Sequence, residues 1–319
     1  MRDAARVSVV VPVYNAERYI EQTLRSVLTS DLRELEVLVV DDGSKDRSAA
    51  IIRQINDPRL TLLQQAASGS PARPRNVGLA HARAPYVAFL DADDLIRPDK
   101  LSSAIAALDQ HPEAGFAFAD FEHIDGEGRV LEPSVLAFKI AECAIATRRV
   151  EGSWHLISQA ELERGLLQRN FIGTSGVVAR RNLLESVGAF DEGLVYAEDL
   201  DLWFRLAHRC GALYSDVVGH AYRLAPGSLT YTPNVRTASD RITVLRRERA
   251  RRSLRRERRH LDRLIAESLG AIGYEHRRNH NRWPSMGAFA QALVTNPDVR
   301  WLRALVGSFV PLAGRGSDA

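Results

Sequence analysis

From residue 7 onward, short runs of apolar, largely β-branched residues alternate with stretches of helical spacing, and this alternation limits the folds open to the chain. Val7–Val13 is almost uninterrupted, as in a strand buried on both faces. Ile20, Leu24, Val27 and Leu28 then share one helical face, with Asn15 as a candidate cap. Val37–Val40 is a second strand, followed by a helix carrying Ile51, Ile52 and Ile55 with Ser44 or Asp46 as cap. Leu60–Leu63 is a third strand, Asn76–Arg83 a short helix and Tyr86–Leu90 a fourth strand. Pro98 opens another helix, with Leu101, Ile105 and Leu108 inward, and Gly115–Phe121 closes the series. Alternation of this kind predicts an α/β fold: a mostly parallel sheet with helices on both faces, its ligands lying outside the carboxyl ends of the strands.

Periodicity fades over residues 126–157, which predicts a loop-rich insertion. Beyond it come a strand-like Gly176–Ala179, a Gly-Ala-Phe-Asp turn at 188–191, a helix from Glu198 to Arg209 stopped by Gly211, and short strands and a loop over 213–232. From about residue 236 the chain reads as helical, so the expected division is an α/β domain over residues 1–232 and a basic helical extension over 233–319. A composition of 45% hydrophobic and 26% charged residues excludes disordered, collagen-like and disulfide-rich classes. Cys143 and Cys210, the only cysteines, read as reduced apolar residues of a cytoplasmic protein. The apolar run after Arg2 and Arg6 ends at once in Tyr14, Asn15 and Glu17, which fits a first strand rather than a leader. No apolar segment approaches the roughly 18–20 residues of a spanning helix.

Chemistry enters where strands end in acids. Asp41-Asp42 and Asp91-Ala92-Asp93-Asp94 follow two of the strands, and in an extended segment Asp91 and Asp93 point to one side. Carboxylates held close repel unless a cation lies between them, so Mg²⁺ or Mn²⁺ with phosphate partners suits the pair; the bland alternative is that acids merely stop strands and cap helices. Glu198-Asp199 opens a helix with Leu200, Trp203, Phe204 and Ala207 on one face, where acids also complement the helix dipole without any catalytic role. The loop Ser68–Arg75 is rich in small residues and can hold an anion before a helix, yet it spells neither a P-loop nor GxGxxG. The nine histidines show no metal-ligand spacing, and His220 reads as structural.

In order, VSVVVPVYN (7–15), VLVVDDGSKD (37–46), Arg75-Asn76-Val77-Gly78, FLDADD (89–94) and YAEDLDLWFRL (196–206) resemble family 2 glycosyltransferases, over roughly residues 7–232. The resemblance implies a GT-A fold and inverting transfer of a sugar from a nucleotide-sugar donor, UDP-linked, to a saccharide or lipid-linked acceptor in surface polysaccharide assembly. It implies that Pro12, Tyr14 and Asp42 line the nucleotide base pocket, that Arg75 lies near the base and diphosphate, and that Asp91 reaches the ribose. Asp93 matches the ligand of Mn²⁺ or Mg²⁺, Asp199 the catalytic base and Glu198 its supporting neighbour. Arg223, in AYRLAPGSLT (221–230), matches more loosely an arginine and a Ser/Thr near the donor phosphates. Pro74 departs from the usual small-residue approach to Arg-Asn. Two other classes compete: a non-catalytic nucleotide-sugar-binding scaffold, and a receiver-like protein with an aspartyl-phosphate site after the second strand. The latter leaves FLDADD and the Glu198-Asp199 helix without a role.

The acceptor is read only coarsely, from Trp154 and His155 and from Asn170–Ser175, with Trp154 suited equally to stacking on a sugar or to plugging the core. Residues 236–282 hold 15 arginines against 6 acidic residues, a net of +9 in a chain of net +3, so the remainder carries −6. Ile242, Leu245, Leu254, Leu261, Ile265 and Leu269 form a patchy stripe beneath that arginine surface. Two further amphipathic helices, carrying Met286, Phe289, Leu293 and Val294, then Val299, Leu302, Leu305, Val306 and Phe309, are separated at Asn296-Pro297. The expectation is a cytoplasmic protein, peripheral on the inner face of the membrane through residues 236–319, with a homodimer interface or packing on the catalytic domain as alternatives. Nucleic acid fits less well, because stacking aromatics are absent from 236–273.

Overall fold

A computed structural model describes residues 4–224 and 234–308. The described residues form two compact units, one of residues 4–194 and 198–224 and the other of 195–197 and 234–308.

The first unit is built on a sheet. Strands β1 (Val7–Val13), β2 (Leu35–Asp41), β3 (Leu60–Gln64) and β4 (Tyr86–Phe89) lie parallel in the order β3-β2-β1-β4. Helices α1 (Ile20–Leu28), α2 (Ser48–Gln54) and α3 (Ala72–His81) connect them. The apolar residues of β1 are almost fully buried, and α3 lies so close that a Cβ on Gly78 would stand 2.3 Å from Cγ1 of Val10. After β5 (Leu95–Ile96), α4 (Lys100–Gln110) and β6 (Ala114–Ile124), the chain adds β7 (Val130–Glu132), α5 (Leu136–Glu142), β8 (Thr147–Glu151), β9 (Trp154–Ile157) and α6 (Gln159–Gln168). A 3₁₀ turn at Thr174–Gly176, β10 (Val178–Arg180), α7 (Arg181–Val187), α8 (Glu198–Ala207) and β11 (Gly211–Arg223) complete the unit. The full order is β3-β2-β1-β4-β10-β6-β11-β9-β8, with β5 on β11 and β7 on β6. β10 enters antiparallel between β4 and β6, so the parallel half carries the acidic strand ends and the other half is mixed.

Several expectations are corrected. Residues 126–157 are not a loop: they carry β7, α5, β8 and β9, and β9 pairs antiparallel with β11. Trp154 points into the core and donates from Nε1 to Ser103 Oγ at 3.0 Å, so it plugs rather than stacks. Asn15 does not cap α1, which begins at Ile20; it sits in the left-handed region (φ 50°), and its Oδ1 accepts from the Lys45 N–H at 2.8 Å. α3 begins at Ala72, so Arg75–Gly78 lies within a helix. Pro74 is tolerated there because the first turn of a helix has no internal acceptor for its N–H. The segment 213–223 belongs to one long, bulged strand; residues 225–232 of the stretch read as a loop lie outside the described residues.

The second unit contains α9 (Val235–Arg251), α10 (Arg255–Arg278), α11 (Arg282–Thr295) and α12 (Val299–Gly307). The single long helix expected over 236–282 is therefore two, broken at 252–254, and Leu254 is exposed rather than part of the stripe. Trp301 of α12 packs on Gly270, and Phe289 of α11 on Gly273 of α10, at distances that leave no room for a Cβ. Asn234 caps α9, and Asp298 caps α12. No helix among the described residues is long and apolar enough to cross a membrane.

Candidate active site

The carboxyl ends of β1, β2 and β4 lie along one edge of the parallel half-sheet. Pro12 and Tyr14 stand at the end of β1, Pro12 half-buried and Tyr14 exposed. Beside them the Asp42 N–H donates to the Val13 carbonyl at 2.8 Å. The buried Asp42 carboxylate accepts from Gln65 Nε2 (2.6 Å), from the Ser68 N–H (3.0 Å) and from Ser68 Oγ (2.8 Å), so it organises the small-residue loop. Gly43, at φ 75°, permits that fold-back, since a Cβ there would meet the Ala67 nitrogen at 2.7 Å.

Asp91–Asp94 form a turn rather than an extended strand, with the Asp94 N–H donating to the Asp91 carbonyl at 3.2 Å. Asp91 and Asp93 still feel each other: burial, then the charge of Asp91, pushes Asp93 up to about 6. The Asp93 carboxylate has no side-chain partner among the described residues, and no cluster of three metal-binding side chains occurs among them.

Arg75, buried on α3, joins this turn to the next motif. Its Nη2 donates to Asp91 Oδ1 at 2.6 Å and its Nη1 to Glu198 Oε1 at 2.7 Å, while the guanidinium lies 5.3 Å from the Phe190 ring centroid. Burial alone would lower its pKa, but the two carboxylates outweigh burial and raise it. Asn76 fixes the turn that carries Phe190 by donating to its carbonyl (2.9 Å) and accepting from its N–H (2.9 Å). Burial and the neighbouring Asp199 raise Glu198 to about 7. Burial also raises Asp199, opposed by the hydrogen bond from Asn170 Nδ2 to its Oδ2 at 2.9 Å.

Arg223 is placed differently from a phosphate contact. Buried at the end of β11, it donates from Nε to the Asp93 carbonyl (2.8 Å), from Nη1 to the carbonyls of Asp125 and Gly126, and from Nη2 to Gln22 Oε1. Its companion Ser/Thr positions in AYRLAPGSLT lie outside the described residues. His220 is buried and stacked on Phe121 (5.1 Å). Sequence reasoning assigned no role to Asn76, Asp94 or Lys100. Asn170 and Ser175, read as part of the acceptor side, also bond Asp199 and the acidic turn.

Carboxylates at the strand ends of a sheet with one parallel and one mixed half are the arrangement of the GT-A class, and solved structures share that fold. The crystal structure of S. aureus TarS 1–349 in complex with UDP-GlcNAc superposes with a TM-score of 0.63 at 24% identity, covering 94% of this chain and 83% of that one. The mannosyltransferase PcManGT from Pyrobaculum calidifontis, solved with GDP-Man and Mn²⁺, gives a TM-score of 0.55 at 20% identity over 96% and 80%. These two likenesses are of fold. The chain belongs to glycosyl transferase family 2, whose description matches residues 8–178. In sequence it is 31% identical over 229 residues to the succinoglycan biosynthesis protein ExoO of Rhizobium meliloti, 70% of this chain and 62% of that one. It is 41% identical over 110 residues to the S. aureus poly(ribitol-phosphate) β-N-acetylglucosaminyltransferase TarS, 33% of this chain and 19% of that one. It thus spans less than two thirds of either relative.

Proposed function

We propose that the chain is an inverting glycosyltransferase, moving a sugar from a UDP-linked donor to a hydroxyl of a saccharide or lipid-linked acceptor in cell-envelope polysaccharide synthesis. The observation that carries this reading is the double ion pair of Arg75, which gathers Asp91 of the acidic turn and Glu198 of α8 into one site. The names of ExoO and TarS, and the UDP-GlcNAc in the TarS crystal, support the pathway and the donor class.

In this reading Pro12 and Tyr14 flank the base, Asp42 accepts from it, and Asp91 meets the ribose. Asp199 takes the proton of the incoming hydroxyl as that oxygen bonds to the anomeric carbon; the carbon–oxygen bond to the diphosphate breaks on the opposite face, so configuration inverts. Glu198, paired with Arg75, holds the start of α8 in place for that transfer. Arg223 acts on the acidic turn through the Asp93 carbonyl rather than on phosphate. Mn²⁺ or Mg²⁺ would fit beside Asp93, whose carboxylate lacks a side-chain partner among the described residues and is repelled by Asp91. Such a cation, when bound, would offset the charge growing on the leaving diphosphate.

Calorimetry of UDP, with GDP and dTDP as comparators, with and without Mn²⁺, on wild type and Asp93→Ala tests the donor reading. Metal-dependent UDP binding that the variant loses is the expected result; no binding of any nucleotide would favour the scaffold alternative.

The helical unit fits an anionic lipid surface. α12 buries Trp301 and Ala304 on one side and exposes Val299, Leu302 and Val306 at i, i+3 and i+7 on the other, with Arg303 exposed beside them. Arginines around an outward apolar stripe complement acidic headgroups, so we infer a peripheral membrane contact here rather than a homodimer.

A further inference from the structure

Behind the acidic turn lies a set of buried polar side chains that the transfer reaction does not use: Lys100, Ser175, Asp94 and His220, each no more than 5% exposed. Lys100 is the first residue of α4, and its stem runs over Gly219 of β11, where a Cβ would come within 3.1 Å of Lys100 Cγ. Its Nζ donates to the Ser175 carbonyl at 2.9 Å, and no carboxylate pairs with it among the described residues. Burial pushes this amine down to about 7. His220 stands nearby with neither ring nitrogen hydrogen-bonded among the described residues, and burial followed by Lys100 holds it well below its usual range.

Ser175 is the hub. Its Oγ accepts from the Asp91 N–H at 3.1 Å and donates to Asp94 Oδ2 at 2.5 Å, while Asp94 Oδ1 accepts from the Arg223 N–H at 2.9 Å. The backbone of Asp91 and the side chain of Asp94, which bracket Asp93, therefore hang on one serine whose own carbonyl is held by Lys100. An amine taken out of water is costly unless a polar partner receives it, and the Ser175 carbonyl is that partner.

We propose that Lys100 is a positioning residue of the donor site: through Ser175 it fixes the turn that presents Asp91 and Asp93 to the nucleotide diphosphate and its cation. This rests on the donor reading given above but has its own test. Lys100→Met and Ser175→Ala are compared with wild type by amide hydrogen exchange without ligand, and by the Mn²⁺ concentration that half-saturates UDP binding. Exchange of the Asp91 amide is expected to rise about tenfold in both variants. The Mn²⁺ requirement is expected to rise about fivefold, and the double variant to be no worse than the more affected single one, as for residues acting along one path. A lysine that merely fills space under α4 would lower the melting temperature and leave the Mn²⁺ titration where it was. The proposal is overturned if Lys100→Met superimposes on wild type in exchange and in titration, whatever Ser175→Ala does, or if Lys100→Met changes them while Ser175→Ala does not. Should Lys100→Met fail to fold, Lys100→Gln, which keeps a polar end on a shorter stem, takes its part in both measurements and is expected to move them in the same direction; if it moves neither, the proposal is overturned. If wild type binds no UDP at all, the donor reading fails, and the Asp91 exchange rate still decides whether Lys100 holds the turn.

Discussion

Asp199 and Glu198 sit side by side where burial raises both, and Asp199 is moderated first by the side-chain amide of Asn170 and then by the Leu200 N–H. A raised carboxylate is ionised only at higher pH, so a base of this kind loses its function early as the pH falls. Turnover should decline on an acid limb above the ordinary aspartate value of about 4. Asn170→Ala removes a hydrogen bond that favours the charged form, and should shift that limb to higher pH in initial-rate profiles; an unmoved limb would separate Asn170 from the base. Asp199→Asn should lower kcat by about 10²–10⁴-fold with UDP affinity retained in calorimetry. Near-normal turnover in that variant would place the base elsewhere. Arg75→Met leaves Asp91 and Glu198 facing each other without their cation, a buried ion pair broken on one side. Loss of about 3–5 kcal/mol in denaturant unfolding is expected.

At the scale of elements, α3 carries Arg75 against β1, and Gly78 sets the distance between them. Gly78→Ala would drive a methyl into Val10 and push the helix outward; overpacking of this sort costs about 1–3 kcal/mol in unfolding and should weaken UDP binding as Arg75 moves. The close packing of α3 was not legible in the sequence, because Pro74 masked its first turn and the helix begins four residues before the expected Asn76. β1, β2 and β4 were legible, since each is a compact apolar run ended by polar residues, and their acids identified Asp42, Asp91 and Asp93 as site residues to test. β10 was legible as a strand over 176–179 but not in its place, antiparallel between two strands distant in sequence, and β8 is largely polar and exposed, so it carries no local pattern strong enough to read. The same limit hid Lys100 and Ser175, whose meaning lies in a contact across 75 residues of chain. Arg223 could be seen as important but not as buried, and burial is what turns its guanidinium toward backbone carbonyls.

Over the whole molecule charge is divided, +9 on residues 236–282 against −6 on the rest, and the helix that follows the basic stretch exposes Val299, Leu302 and Val306 and carries Arg300 and Arg303. Each arginine near an acidic lipid surface contributes about 1 kcal/mol at physiological ionic strength, and the attraction fades within a Debye length of about 8–10 Å. The apolar stripe adds a term that salt does not screen. The two terms can therefore be separated. Wild type should sediment with phosphatidylglycerol vesicles at low salt, release at about 0.5 M salt, and bind phosphatidylcholine vesicles weakly. Replacing Val299, Leu302 and Val306 together by serine should weaken the low-salt binding about tenfold while leaving UDP calorimetry unchanged, because none of the three belongs to the carboxylate site. Retained vesicle binding in that variant would assign the contact to the arginines alone. Absence of wild-type binding, together with a concentration-dependent dimer in light scattering that the triple variant abolishes, would assign the stripe to a second copy of the chain.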